Sequence, residues 1–224
     1  MLLHIIQARM GSSRLPGKVL KPLPGGHTLL GLHIQRARHS RLAQQMVLAT
    51  THHAADDAVA EEASRMGIPV FRGSEEDVLD RFYQAALPYQ PTAILRTTAD
   101  CPLIDAPLMD AIAAYGAAHG LDYCTNSINP TYPNGFDAEW CTWAALETAH
   151  TEAQLPSERE HVMPFIWNRS PLKGGARFAA ASLQNALGDW GHLRLTVDNP
   201  EDYELVYKLV EAMGADAPWR QYTE

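Results

Sequence analysis

Leu2-Leu3-His4-Ile5-Ile6-Gln7-Ala8-Arg9-Met10-Gly11-Ser12-Ser13-Arg14-Leu15-Pro16-Gly17-Lys18 is the stretch that decides the fold. Leu2 to Ile6 is an apolar run broken only by His4, the pattern of a central strand buried on both faces. Gln7 to Lys18 is punctuated by Gly and Pro and cannot continue a regular element. A buried strand feeding a glycine-rich, basic loop is how α/β folds that hold phosphates begin. The loop is not a Walker A motif: five residues separate Gly11 from Gly17, and Val19 stands where Ser or Thr would meet magnesium. Nor is there a G-x-G-x-x-G fingerprint for a dinucleotide. What remains is a turn whose backbone N–H groups at Gly11, Ser12 and Ser13 can approach an anion, with Arg14 as a forked donor and Lys18 as a point charge. A solvated basic turn is the alternative.

Working outward, helices and strands alternate. Helices are expected over Thr28–Arg38, Asp56–Met66, Glu75–Ala86 and Ala106–Ala118, and strands over Met46–Thr51, Ile68–Arg72 and Ala93–Thr98. Beyond Tyr123 the rhythm loosens, with helices near Thr142–Glu152 and Glu158–Asn168 and a strand at Arg177–Leu183. A strand at His192–Val197, a turn at Asp198-Asn199-Pro200 and an amphipathic helix follow. This predicts one α/β domain over residues 1–224: three layers, αβα, around a mostly parallel central sheet. An irregular segment at about 126–187 is expected to shape an acceptor pocket or a dimer contact.

Composition excludes several classes. With 46% hydrophobic and 20% charged residues the chain is globular, and a net charge of -8 gives no global field for nucleic acid. The basic charge is local: the first 41 residues hold Arg9, Arg14, Lys18, Lys21, Arg36, Arg38 and Arg41 and no Asp or Glu. Such a cluster suits a compact anion. Three scattered cysteines show neither a disulfide framework nor zinc spacing, and no apolar run reaches 18 residues, so a cytoplasmic protein free of the membrane is expected.

Asp100 and Asp198 each follow an expected strand and would lie on the rim that carries the first loop. Two carboxylates beside bound phosphates are what Mg2+ takes. For Asp198 the turn and capping reading of Asp-Asn-Pro stands equally open; Asp105 is the better cap for the helix after Asp100. A third constellation, Asn126, Tyr132, Pro133, Gly135, Asp137 and Glu139 with Glu158-Arg159-Glu160-His161, is the candidate acceptor pocket, against a simply solvated helix for residues 158–160.

The segments IIQARMGSSRLPGKVLKPL (Ile5–Leu23), VLATT (Val47–Thr51), RGSEEDVLDRFY (Arg72–Tyr83), RTTADCPLID (Arg96–Asp105) and LRLTVDNPEDYELV (Leu193–Val206) resemble the spore-coat polysaccharide biosynthesis protein F family. That family is similar to the cytidylyltransferases that activate sialic acid and 3-deoxy-manno-octulosonate. The resemblance runs in order over nearly the whole chain. It implies a glycosyltransferase-A-like nucleotide-diphospho-sugar fold, CTP and a sugar acid as substrates, Mg2+ as cofactor and a homodimer. It implies a nucleotide site at Ala8, Arg9, Gly11, Ser13, Arg14, Lys18, Ala49, Thr50 and Arg72, with Arg14, Lys18 and Asp100 catalytic and Asp100 and Asp198 on the metal. Asn126, Asp137, Glu139, Glu158 and His161 would meet the acceptor. Gln7 in place of Pro, and Cys101 after Asp100 in place of Glu, depart from the sialate and octulosonate enzymes. A glycosyltransferase using a nucleotide-sugar donor is the alternative, disfavoured because no D-x-D occurs; a non-catalytic nucleotide-binding subunit is another.

Overall fold

The computed structural model describes residues 1–223. A seven-stranded sheet is built from β1 (Leu2–Gln7), β4 (Ala43–Thr51), β5 (Val70–Gly73), β6 (Ala93–Thr98), β7 (Tyr123–Thr125), β8 (Glu139–Thr142) and β9 (Ala180–Ser182). Its order is β5-β4-β1-β6-β8-β7-β9, and only β8 runs antiparallel to its neighbours. A two-stranded ribbon, β2 (Pro22–Leu23) and β3 (His27–Thr28), lies outside it. The helices are α1 (Leu29–Ala37), α2 (Asp57–Arg65), α3 (Val78–Ala86), α4 (Ala106–Ala118), α5 (Trp143–Glu152), α6 (Pro156–His161), α7 (Pro164–Trp167) and α8 (Pro200–Met213).

The two faces of β1 explain its near-continuous apolar run. Leu3 and Ile5 pack with α3, α5 and α7, whereas Ile6 joins Leu30 and Ile34 of α1 and Val59 of α2. Because both faces are buried, helices cover both sides, as the alternation predicts. Strand β1 pairs with β4 on one side and β6 on the other, all parallel, so the loops leaving β1 and β6 diverge from a common point. That switch point, beyond the carboxyl ends of the strands, is where open α/β sheets bind ligands.

The structure departs from expectation in the second half. The irregular segment supplies β8 and β9, and with β7 it completes nearly half the sheet. Strands β7 and β8 were illegible because each has three or four residues, too few to show a period, whereas β9 lies within the strand expected at Arg177–Leu183. The helix expected at Glu158–Asn168 is two helices, broken at Val162, whose φ of 72° no helix accommodates. Pro164 restricts the backbone just before it and starts the next helix. His192–Val197 is not a strand: it makes one isolated bridge, Asn134 to Arg194, and at its end the Val197 backbone meets the site described next.

Candidate active site

The loop after β1 is tied at both ends. Gly17 N–H donates to Met10 O (3.2 Å), and Met10 N–H donates to Asp56 Oδ1 (2.6 Å). Asp56 is buried and its other oxygen accepts from the Thr51 hydroxyl at the end of β4. Gly17 turns the chain at φ 68°, where a β-carbon is disfavoured, and a short 3-10 turn at Lys18–Leu20 begins there. Gly11, Ser13 and Arg14 are left exposed at the tip.

Lys18 leaves this loop pointing inward. Its Nζ donates to Asp100 Oδ2 (3.0 Å), Asp198 Oδ1 (2.9 Å) and the Val197 carbonyl (2.8 Å). An ammonium has three protons, so all of its donors are engaged within the chain. Asp198 also meets Arg14 (3.2 Å) and Arg194 (2.9 Å). Burial alone would raise the Asp198 carboxyl, but Lys18, Arg14 and Arg194 hold it below the ordinary carboxylate range. Burial alone would likewise lower Lys18, and the two aspartates raise it instead. The open question about Asp198 is answered one residue on: Asn199 caps α8, in a reciprocal capping box with Asp202, and leaves the Asp198 side chain free for Lys18. Asp105 caps α4, as expected.

Asp100 and Arg14 line a charged cleft of about 1000 Å³, whose walls include Arg9, Glu75, Asp77, Arg159 and His161. Arg9 pairs with Glu75 (2.9 Å) and Arg159 with Asp77 (2.7 Å). Arg96 and His161 also border a smaller cavity of about 450 Å³, lined further by Tyr123, Ser127, Asp137, Glu139 and Trp167. Arg96 is ion-paired with Glu139, which also accepts from the Tyr123 hydroxyl (2.6 Å). Asp137 Oδ2 accepts from Asn134 Nδ2 (2.9 Å) and Gly135 N–H (3.1 Å), and burial raises its carboxyl to about 6. A β-carbon at Gly135 would stand 2.5 Å from the Leu195 carbonyl carbon, so glycine is what lets this turn lie against the segment carrying Asp198. Leu195 N–H then donates to Asn134 O (2.7 Å), and Val197 N–H to Asp100 O (2.8 Å).

The structure thus brings Arg9, Arg14, Asp100 and His161 to one cleft, with Lys18 and Asp198 tied to its edge through Asp100 and Arg14, and Asp137 and Glu139 to the neighbouring cavity. Three expected site residues have other work. Arg72 donates to the Thr51 and His53 carbonyls and pairs with Asp57, fastening the end of β4. Asn126 is buried, holding Phe136 O (3.0 Å) and Ala138 N–H (2.9 Å). Glu158 is buried against Arg169 (2.6 Å), away from the acceptor side, because α6 turns that face into the core. Ala8, Ala49 and Thr50 are buried where β1 and β4 end, with Ala8 N–H donating to Ala49 O. Sequence reasoning missed Asp56, Arg96 and Arg194. Only Arg96 carried a signal, a charge inside an apolar strand. Among the described residues no group of three or more His, Cys, Asp or Glu side chains is arranged to hold a metal ion, and no helix is long and apolar enough to cross a membrane.

Comparison with known proteins agrees with this geometry. A family model described as cytidylyltransferase matches residues 3–181. The spore coat polysaccharide biosynthesis protein SpsF of Bacillus subtilis (strain 168) is 37% identical over 218 residues, covering 95% of this chain and 88% of that protein. The structure of a cytidylyltransferase from Leptospira borgpetersenii superposes with a TM-score of 0.91 at 32% identity, covering 99% of this chain and 92% of the other. CMP:2-keto-3-deoxy-manno-octonic acid synthetase complexed with CTP shares the fold, with a TM-score of 0.69 at 15% identity over 94% of this chain and 98% of its own. A glycine-turned loop after the first strand, an inward lysine between two aspartates and a match over most of the length lead to one conclusion: the chain belongs to the cytidylyltransferase family of nucleotidyltransferases.

Proposed function

We propose that this protein transfers CMP from CTP to the hydroxyl of a sugar acid, releasing pyrophosphate, in the biosynthesis of a polysaccharide or cell-surface glycan. The observation that carries the reading is the convergence of Asp100 Oδ2, Asp198 Oδ1 and the Val197 carbonyl on a single cationic point at 2.8–3.0 Å, on the rim where the first loop also ends. Three oxygens around one point form a hard donor set that suits Mg2+, which commonly takes one or two carboxylates and completes its shell with phosphate and water. Asp100 and Asp198 would hold the ion, and it would supply charge stabilisation at the α-phosphate.

The chain's own groups do the rest. The exposed amides and Arg14 at the loop tip would receive the β and γ phosphates, and Lys18, once released from the aspartates, would offset charge on the departing pyrophosphate. The large cleft would take the nucleotide and the inner cavity the acceptor, so that the attacking hydroxyl is presented in line with the α-phosphorus. A cytoplasmic homodimer completes the proposal, the dimer being checked by sedimentation equilibrium.

The first test is a thermal-shift titration with CTP, UTP, ATP and GTP, each with and without Mg2+. The largest shift should be with CTP and should require Mg2+, and pyrophosphate release should then appear with one member of a sugar-acid panel. A shift given only by nucleotide sugars would replace this reading with glycosyl transfer.

A further inference from the structure

Behind the cleft, on the α1 face of the sheet, lie two histidines that the chemistry above does not use. His4 on β1 and His33 on α1 are both fully buried. His4 Nε2 and His33 Nε2 each lie 2.7 Å from the Thr97 hydroxyl on β6, and His33 Nδ1 lies 2.9 Å from the Cys101 carbonyl. Burial lowers both imidazoles, His4 to about 3 and His33 to about 4, so both are neutral at physiological pH.

Counting protons fixes every donor. A carbonyl only accepts, so His33 Nδ1 carries the ring proton and donates to Cys101 O. Neutral His33 therefore presents a lone pair at Nε2, and the single Thr97 hydroxyl proton must point there. The Thr97 oxygen can then only accept from the other ring, so His4 carries its proton on Nε2 and leaves Nδ1 bare. His4 Nδ1 is the one atom of the set with no partner. An orphaned acceptor is the tolerable remainder, since orphaned buried donors are rarer than under-satisfied acceptors.

The relay thus runs in one direction, from His4 through Thr97 and His33 to the Cys101 carbonyl. Cys101 follows Asp100 in a loop otherwise tied by Ala99 N–H to Gln7 O (3.0 Å), Ile104 N–H to Cys101 O (3.2 Å) and Val197 N–H to Asp100 O (2.8 Å). The first and last of these hold the loop to β1 and to the Asp198 segment; Arg36 Nε of α1 holds its far end at Ile104 O (2.7 Å), and the relay ties the Cys101 end, next to Asp100, to α1. We propose that His4, Thr97 and His33 are positioning residues that fix the Asp100 loop, and hence the separation of Asp100 from Asp198, through a hydrogen-bond chain of defined tautomers. The kinetic part of this proposal rests on the cytidylyl transfer proposed above; the structural part does not.

The test has two independent arms. In the wild-type protein, ¹⁵N NMR should find His33 protonated at Nδ1 and His4 at Nε2; the opposite tautomer at His33 overturns the relay whatever the protein's activity. In Thr97→Val, which keeps the shape and removes the hydroxyl, amide exchange at Ile104 and Val197 should speed up while exchange within α4 stays unchanged. A uniform acceleration would mean a merely stabilising role and defeats the proposal. With CTP turnover in hand, Thr97→Val should lose about 10- to 100-fold in kcat, with KM for CTP within about twofold, as a small misplacement near the reacting atoms does. Thr97→Ser should restore most of it, and unchanged kcat in Thr97→Val would overturn the positioning role. Absence of turnover in the wild type would defeat the reading of function and leave the NMR and exchange arms to decide the relay.

Discussion

The large cleft and the inner cavity share Arg96 and His161 but are built on different principles. In the cleft, charges stand on opposite walls and neutralise one another: Lys18 with two aspartates, Arg9 with Glu75, Arg159 with Asp77. These pairs are part-exposed, and under the proposed function they would be exchanged for the charges of an incoming triphosphate. In the inner cavity the carboxylates are fixed by hydrogen bonds to a tight turn, a tyrosine and a partly buried arginine, and burial keeps one of them above its ordinary range. On that reading the cleft would be rearranged by its ligand, whereas the groups of the cavity are already fixed by hydrogen bonds within the chain.

The largest expected effect comes from breaking the exchangeable side. Lys18→Met should reduce turnover by roughly 10²–10³-fold or more, since a charge clamp on a leaving group is worth that much. The same variant should bind Mn2+ alone more tightly than the wild type, measured calorimetrically, because Asp100 and Asp198 then lack their ammonium. Unchanged Mn2+ affinity would remove the idea that Lys18 occupies the cation position.

On the preorganised side, Glu139→Gln should cost about 3 kcal/mol in denaturant unfolding, because it strands the partly buried Arg96 guanidinium without its carboxylate. If the loss is near zero, the cavity is as adaptable as the cleft. A smaller and pH-dependent effect is expected at Asp137. Its folded carboxyl titrates near 6 against an ordinary 3.8, so the folded state holds this proton more tightly than the unfolded one. The stability gained from protonation is fully present below about pH 4 and is lost as pH rises through about 6, a difference of roughly 3 kcal/mol at most. Asp137→Asn should therefore stabilise the protein at pH 8 and do little at pH 4; the reverse dependence would show that the turn, not burial, controls the group.

The smallest effect is expected at Arg72, which fastens β4 outside both chambers. Arg72→Lys should weaken stability slightly and leave CTP affinity unchanged within about twofold by calorimetry. A large affinity loss would return Arg72 to the nucleotide site.

The first half of the fold was legible in the sequence because its signals are local. Buried parallel strands read as apolar runs, Asp105 caps its helix by a side-chain contact three residues on, and glycine and proline mark where the first loop leaves the sheet, whereas Thr28 and Asp77 cap helices whose expected starts took them in. The cluster of basic residues, the two aspartates and the family resemblance were readable for the same reason. Tertiary structure decided the remainder. Whether Asp198 is a cap or a partner of Lys18 depends on two segments 180 residues apart in the chain, and Asn126, Glu158 and Arg72 became internal fasteners through contacts that no short window contains. The strands at Tyr123 and Glu139 are too short to have a period and exist because β6 offers an edge to the strand at Glu139, which in turn offers one to the strand at Tyr123. Local propensity is written along the chain, but burial, charge pairing and hydrogen-bond partnership are properties of distance in space, and only the folded sheet sets those distances.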